Sequence, residues 1–417
     1  MLVYKFGGSS IKNAEGIRNL GAIVQSHPGH LVVVVSALGK TTNALEQLCS
    51  RSWEKGVLSV SDMDRIQAFH TDILKSLFPG NGPIMKTILS DFDAMGNAIK
   101  NRFPDDYDMF YDQVVSWGEM LSSKIIHAHL IQLGLKVQWV DATRLITTDE
   151  HFRNARVDWD RTRLQVRQAM HFKDVPVYLT QGFVGGTKKN LRTTLGREGS
   201  DFTAAILGNI LEADQVVIWK DVPGVMNADP QFFSSPELLP EISYQEAIEL
   251  AYFGAKVIHP KTIKPLQNKN IPLVVKSFLM PGQKGTLIRT DRIPVLHLPS
   301  FIFKKDQVLL SISPRDFSFA VDDQFGHIFS ILNQHKIRVN IVQNSAISIS
   351  VCVDHDAYRM EGLLQHLKEQ YLVYYNAGVE LITIRHYTRE SIDRVLHGEV
   401  LIEQRTRSTA HYVVKPD

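Results

Sequence analysis

Apolar residues along this chain fall into short β-branched runs separated by longer stretches of helical periodicity. The first run, Leu2-Val3-Tyr4-Lys5-Phe6, ends abruptly at Gly7-Gly8-Ser9-Ser10. The second, Leu31-Val32-Val33-Val34-Val35, is apolar throughout, as strands buried on both faces of a parallel sheet are. Further strands are predicted at 136–140, 175–180, 215–219 and 271–275, each with Gly, Pro, Asp or Asn on at least one side. A helix is predicted from about Ala44, another over 244–252, and a mainly helical region over 53–136, broken at 79–83 and at Pro104. Strand, helix and strand in turn predict a three-layer, doubly wound, mainly parallel α/β sheet with ligand turns at the carboxyl ends of its strands.

The pattern changes after Gly282-Gln283-Lys284-Gly285-Thr286 and the stretch 291–299. The order from there is a strand at 308–312, a helix at 324–335, strands at 339–342 and 346–353, a helix at 358–369 and a strand at 372–375. That is the ferredoxin-like α+β unit. A shorter version follows, with strands at 381–385, 400–404 and 411–414 and one helix at 390–396. It lacks its last helix and strand, and the run 301–303 could supply the missing edge, inserting one module inside the other. Tandem units of this kind are more often small-molecule sensors than spacers.

Composition narrows the class. A chain of 417 residues predicts two to three domains, and 44% apolar with 22% charged residues is ordinary for a globular protein. A net charge of +2, with Lys and Arg scattered, argues against a nucleic-acid partner. Cys49 and Cys352 lie far apart, with neither a disulfide framework nor zinc spacing. With no leader and no apolar run long enough to span a bilayer, the expectation is a cytoplasmic protein with no membrane partner.

The candidate chemistry sits in glycine turns. Gly7 and Gly8 admit a ligand close to the main chain, their amides and the hydroxyls of Ser9 and Ser10 can face an anion, and Lys5 adds positive charge inside a strand. A tight strand-to-helix turn is the plain alternative; the buried lysine favours a phosphate. Thr194-Leu195-Gly196-Arg197-Glu198-Gly199-Ser200-Asp201 places an arginine clamp before an alanine-rich helix with Ser200 or Asp201 as its N-cap. Lys220-Asp221-Val222-Pro223-Gly224 follows a strand, and Gly254-Ala255-Lys256 follows a helix. Either lysine could be a solvated surface charge, but three glycine turns each bearing a cation favour a phosphate site. There is no Walker loop, dinucleotide fingerprint or protein-kinase signature.

These pieces, in order, resemble the aspartokinases of the amino-acid kinase superfamily. They are Lys5 to Ser10, Val35-Ser36-Ala37 with Thr42-Asn43, Gly118-Glu119, Thr180 to Phe183, Thr194 to Asp201, Asp221 to Gly224 with Ala228-Asp229-Pro230, and Gly254 to Pro260. The tandem modules look like the family's ACT domains. The resemblance implies a catalytic domain over 1–290, with an aspartate-binding part over about 1–205 and a nucleotide-binding part over about 206–290. It implies an ACT region over 300–417, with a first module at about 307–377 and a shortened second module from about 300–306 plus 378–417.

The activity so implied is ATP-dependent phosphorylation of the β-carboxylate of L-aspartate, the first step toward lysine, threonine and methionine, with Mg2+ carried by the ATP phosphates. Lys5, Gly7, Gly8 and Asp201 would be catalytic. Ser36, Thr42, Glu119, Arg197, Ser200 and Asp201 match the aspartate pocket, Arg197 clamping a substrate carboxylate and Glu119 facing the amino group. Lys5, Gly7, Gly8, Ser9, Lys220, Asp221, Met226 and Lys256 match nucleotide contacts. A homodimer through the ACT modules is implied, and lysine or threonine as effector at Asp323, Phe325, Asn340, Asn344 and Ser345. Lys220 and Met226 depart from a common threonine and tyrosine, Gln231 from an arginine, and Glu198 interrupts a usual Gly-Gly pair. Asn340 and Ala346 replace an aspartate and a glutamate of lysine-inhibited relatives. Another kinase of the fold, acting on glutamate, acetylglutamate or UMP, and a catalytically silent amino-acid sensor are the alternatives.

Overall fold

Valine-rich runs form the middle of the main sheet. The structure, a computed structural model, describes residues 1–80, 82–101, 105–255, 258–290, 298–315 and 322–416. It divides into two units: Met1–Val225 with Leu238–Ile248 and Val257–Ile293, and Met226–Glu237 with Glu249–Lys256 and Pro294–Asp417. The strands of the first unit are β1 (Leu2–Phe6), β2 (Leu31–Val35), β3 (Val137–Val140), β4 (Val177–Gln181), β5 (Val184–Gly186), β6 (Arg192–Thr194), β7 (Gln215–Lys220), β8 (Glu241–Ser243), β9 (Leu273–Ser277) and β10 (Thr286–Arg289). All but the hairpin β5–β6 join one sheet in the order β3-β4-β2-β1-β7-β9-β10-β8, parallel except between β9 and β10.

Every residue of β2 and β4 is buried, because helices cover both faces of the sheet, and this explains their unbroken apolar or small-polar runs. Phe6, Trp219 and Phe278 close one face of the centre, Phe6 stacking on Trp219 at 6.1 Å and meeting Phe278 edge-on at 6.0 Å. The helical region resolves into Val60–Leu77, Pro83–Asn101, Tyr107–Val115 and Trp117–Gln132, which pack in the same core. Among the described residues no helix is long and apolar enough to cross a membrane.

The second unit is built on β11 (Ser300–Pro314), β12 (Val339–Asn344), β13 (Ile349–Asp354), β14 (Tyr371–Arg385), β15 (Glu399–Arg405) and β16 (Thr409–Lys415). They form one antiparallel sheet in the order β12-β13-β11-β14-β16-β15. The run 301–303 is the first part of β11 and pairs with Ile382 to Ile384, while the rest of β11 pairs with β13 and with Tyr371 to Ala377. The register shifts at Lys304 to Val308 separate the two halves, with Asp306 at φ +52. The strand predicted from 346 begins instead at Ile349, because Ser345 and Ser348 close a tight turn through a 2.8 Å main-chain hydrogen bond.

In one half the helices Asp322–Gln334 and Ala357–Gln370 cover Val308, Leu310, Ile312, Val351 and Val353. Among the described residues the other half has a single short helix, Arg389–Asp393, and its apolar face, with Phe301, Ile384 and Tyr412, is closed by Ala228 and Phe233 from the segment 226–237. On the opposite face the segment 249–255 lies against the sheet. Phe253 packs on His411 at 4.6 Å, and Arg385 reaches Glu249 at 3.4 Å.

Candidate active site

The parallel register aligns Phe6 with Val35 and Trp219, and Val35 with Gln181, so the turns after β1, β2, β4 and β7 open on the same edge of the sheet. Two of these turns are in direct contact. Ser36 N donates to Phe6 O at 3.1 Å and Gly39 N to Gly8 O at 3.0 Å. A Cβ on Gly8 would lie 2.6 Å from Ala37 O and 2.9 Å from Gly39 O, so this position admits glycine alone. A Cβ on Gly7 would lie 3.5 Å from Lys5 Nζ, which places the ammonium over the exposed backbone of the turn.

Lys5 is buried, and within the protein a carboxylate compensates its charge. Its Nζ lies 2.6 Å from Asp201 Oδ1, and Lys220 Nζ lies 3.9 Å from Asp201 Oδ2. Burial raises the Asp201 carboxyl, but the two ammoniums outweigh it and hold the group below its ordinary value. Asp201 and Ser200 lie in the first turn of the helix Gly199–Leu211, not at its cap. The capping position is Glu198, in the left-handed region at φ +53 with no side-chain cap bond. A glycine takes that backbone without strain; here the Glu198 carboxylate gains the His259 N–H as a donor at 2.8 Å. Ser200 is packed so tightly on Gly182 that a Cβ there would lie 2.5 Å from its own Cβ.

Glu119 enters from the helix Trp117–Gln132, which grips the β2 turn: Ser122 Oγ donates to Ser36 O at 2.7 Å, and a Cβ on Gly118 would lie 2.9 Å from Ala37 Cβ. The Ala37 N–H donates to Glu119 Oε1 at 3.2 Å, while Oε2 is buried without a hydrogen bond among the described residues. Burial pushes the Glu119 carboxyl up to about 8, against the Ala37 hydrogen bond and the charge of Lys5, which favour ionisation. Among the described residues Glu119 makes no ion pair, so its ionised form suits an ammonium ligand.

Ser36 and Thr42 are half-buried, Thr42 in the first turn of the helix Thr41–Lys55. Ser9, Arg197 and Asp221 are exposed, and Arg197 makes no ion pair or hydrogen bond among the described residues. Met226 belongs to the second unit, and Lys256 lies outside the described residues. The side chain of Asp323 also lies outside them, and Phe325 packs on the core of the first sensor half. Asn340 is fully engaged: its Nδ2 donates to Gln307 Oε1 and Asp354 Oδ1, both at 2.7 Å, and its Oδ1 accepts from Lys304 Nζ at 2.8 Å. Asn344 is exposed, and Ser345 Oγ bonds Ser348 Oγ at 2.8 Å. The Ala37 amide and Gly182 also belong to the site; both lie in runs that carry the resemblance, Val35-Ser36-Ala37 and Thr180 to Phe183, but only packing shows that they meet Glu119 and Ser200.

Residues 1–277 match the amino acid kinase family. The chain is 33% identical over 377 residues to Aspartokinase 1, chloroplastic, of Arabidopsis thaliana, covering 87% of this chain and 65% of that protein. It is 30% identical to Lysine-sensitive aspartokinase 3 of Escherichia coli, covering 92% of this chain and 86% of that one. The chain spans only 32% of a bifunctional aspartokinase/homoserine dehydrogenase of Zea mays, at 34% identity over 69% of its own length. The solved structure of E. coli aspartokinase III in complex with aspartate and ADP superposes with a TM-score of 0.82 at 27% identity, covering 100% of this chain and 96% of that one. Its complex with lysine and aspartate gives 0.81 at 26% identity, covering 99% and 96%. The chain belongs to the aspartokinases, within the amino acid kinase family.

Proposed function

We propose that this protein transfers the γ-phosphoryl group of ATP to the β-carboxylate of L-aspartate, giving 4-phospho-L-aspartate and ADP. The observation that carries the reading is the buried pair of Lys5 and Asp201, with the half-buried Lys220 beside it, at the carboxyl ends of the parallel strands next to a turn that admits only glycine at position 8. A carboxylate is already a nucleophile and needs no general base; the task is to bring two anions together and offset the charge of the transition state. Lys5 and the amides of Gly7 and Gly8 would hold the transferring group, Ser9, Lys220, Asp221, Met226 and Lys256 the nucleotide. Ser36, Thr42, Glu119, Arg197 and Ser200 would hold aspartate, Arg197 on a carboxylate and Glu119 on the ammonium. Magnesium would ride on the ATP phosphates and neutralise part of their charge.

The reading includes a homodimer through residues beyond about 300 and a reducing, cytoplasmic setting, in keeping with two buried, unpaired cysteines. Lysine or threonine would act at the sensor modules. With Asn340 spent on Lys304, Gln307 and Asp354, such an effector would rely on Asn344, Ser345 and the start of the helix Asp322–Gln334. A coupled ADP-release assay run in parallel with L-aspartate, L-glutamate and UMP tests the activity. Turnover with aspartate alone is the expected result; turnover with another acceptor, or none, overturns the assignment.

A further inference from the structure

A cavity of about 700 Å³ lies in the first unit among the helices Trp159–Ala169, Gly199–Leu211 and Pro260–Gln267, and it shares no residue with the centre formed by Lys5, Glu119 and Asp201. Arg156, Arg163, Lys261, Lys264 and Lys269 line it, with no Asp or Glu among its lining residues, in a chain whose formal net charge is only +2. Cations gathered in a concave site repel one another and attract anions. Two of the five are answered from outside the cavity, Arg163 by Asp160 at 3.4 Å and Lys269 by Glu212 at 2.7 Å. Arg156 and Lys264 have no ion pair among the described residues. Trp159 and Phe202, both half-buried, give the wall two aromatic rings. A concave site of this size, with aromatic walls and a few convergent charges, is what a flat, anionic small molecule needs.

The cavity also touches the turn that carries Arg197. Asn154 Oδ1 accepts a hydrogen bond from Lys261 Nζ, and the same oxygen stands 2.8 Å from where a Cβ on Gly196 would be, with Gly196 at φ +79. An anion that draws Lys261 away from Asn154 releases the support of this turn.

We propose that the cavity is a second ligand site, for a phosphate-bearing aromatic molecule of nucleoside-monophosphate size, and that its occupancy shifts the Arg197 turn and so the apparent affinity for the acceptor. The binding claim is independent of the function proposed above; only the effect on acceptor affinity rests on it. The test titrates AMP, GMP, UMP and inorganic phosphate, without magnesium, into the full-length protein and follows thermal shift and tryptophan fluorescence. At least one monophosphate is expected to bind saturably and to quench emission, and Trp159→Phe to remove the quench but keep the thermal shift. Lys264→Glu and Arg156→Glu should each weaken binding about tenfold or more, as loss of a charge-assisted contact does. Lys5→Ala should leave it unchanged. Binding lost in Lys5→Ala but kept in both charge reversals puts the ligand at the catalytic centre and overturns the site. Inorganic phosphate binding as tightly as the monophosphates overturns the aromatic part, and no saturable shift with any of the four overturns the whole. Saturating monophosphate should change the KM for aspartate at least about twofold in the native protein and not in Lys264→Glu. Binding without that change overturns the coupling alone.

Discussion

Lys5 Nζ and Asp201 Oδ1 meet at 2.6 Å although one lies on the first strand and the other in a helix far along the chain. Removing either partner leaves an uncompensated buried charge. Lys5→Ala should therefore lower turnover about 10²-fold or more, because the ammonium acts on charge that develops as the phosphoryl group transfers. Steady-state kinetics check this, and near-normal turnover would remove Lys5 from the chemistry.

Glu119 should make acceptor binding depend on pH. Its carboxyl titrates at about 8, and an α-ammonium is held only by the ionised form. The KM for aspartate should fall as pH rises from about 6.5 to about 8.5 and level off above, since binding must displace a proton at lower pH. Glu119→Gln should raise the KM and flatten this profile. A wild-type profile that is already flat would show that Glu119 does not face the ammonium.

The same group sets a stability slope in the ligand-free protein. Its carboxyl is raised from 4.5 to about 8 by burial, so between those values the folded state holds a proton that the unfolded chain has released. The stabilisation is fully present below pH 4.5 and is lost as pH rises through about 8. Asp112, raised by burial to about 6 against hydrogen bonds from Thr194 and Arg153, adds to the lower part of the window. Thermal melts should fall in midpoint from pH 5 to pH 8, and Glu119→Gln should reduce the fall. Identical slopes in both proteins would contradict the shift.

Arg197 stands exposed in its turn with no partner among the described residues, so its loss should leave the fold intact. Arg197→Ala should raise the KM for aspartate by roughly 10- to 100-fold, the loss of a charge-assisted clamp, with a smaller change in the KM for ATP. An effect confined to ATP would move the residue out of the acceptor pocket.

The ends of the six-stranded sheet are β12 and β15, where Val342 and Val400 are exposed, with Ile347 in the adjoining turn. These two ends meet where Gln404 Nε2 donates to Val342 O at 3.5 Å, and the apolar side chains left exposed beside them favour burial against a second copy. Light scattering at micromolar concentration should give twice the chain mass, and Val342→Lys with Ile347→Lys should shift it toward one. A clean monomer in the native protein would refute the dimer.

The central strands were readable because valine runs buried on two faces have no other use, and the glycine turn because Gly8 has no room for a Cβ. The Glu198 cap was not: a serine and an aspartate stood at the expected positions, but the backbone turns left-handed earlier, for a contact with His259 that only the packed helices reveal. The ion pair of Lys5 with Asp201 was hidden for the same reason, since it depends on which strands become neighbours. The ties of Asn340 to Lys304, Gln307 and Asp354 were hidden too, since these partners lie on two other strands, β11 and β13.

The half-sheet with the short helix Arg389–Asp393 borrows its cover, Ala228 and Phe233, from a stretch that precedes it by many residues and lies within the matched kinase region. A module whose core closes on itself can be copied, lost or exchanged between genes as a bead. This one cannot: without the earlier stretch the faces of Phe301, Ile384 and Tyr412 lie open, so the two stretches form one core and must be kept together. Sequence drift in either should be answered by drift in the other.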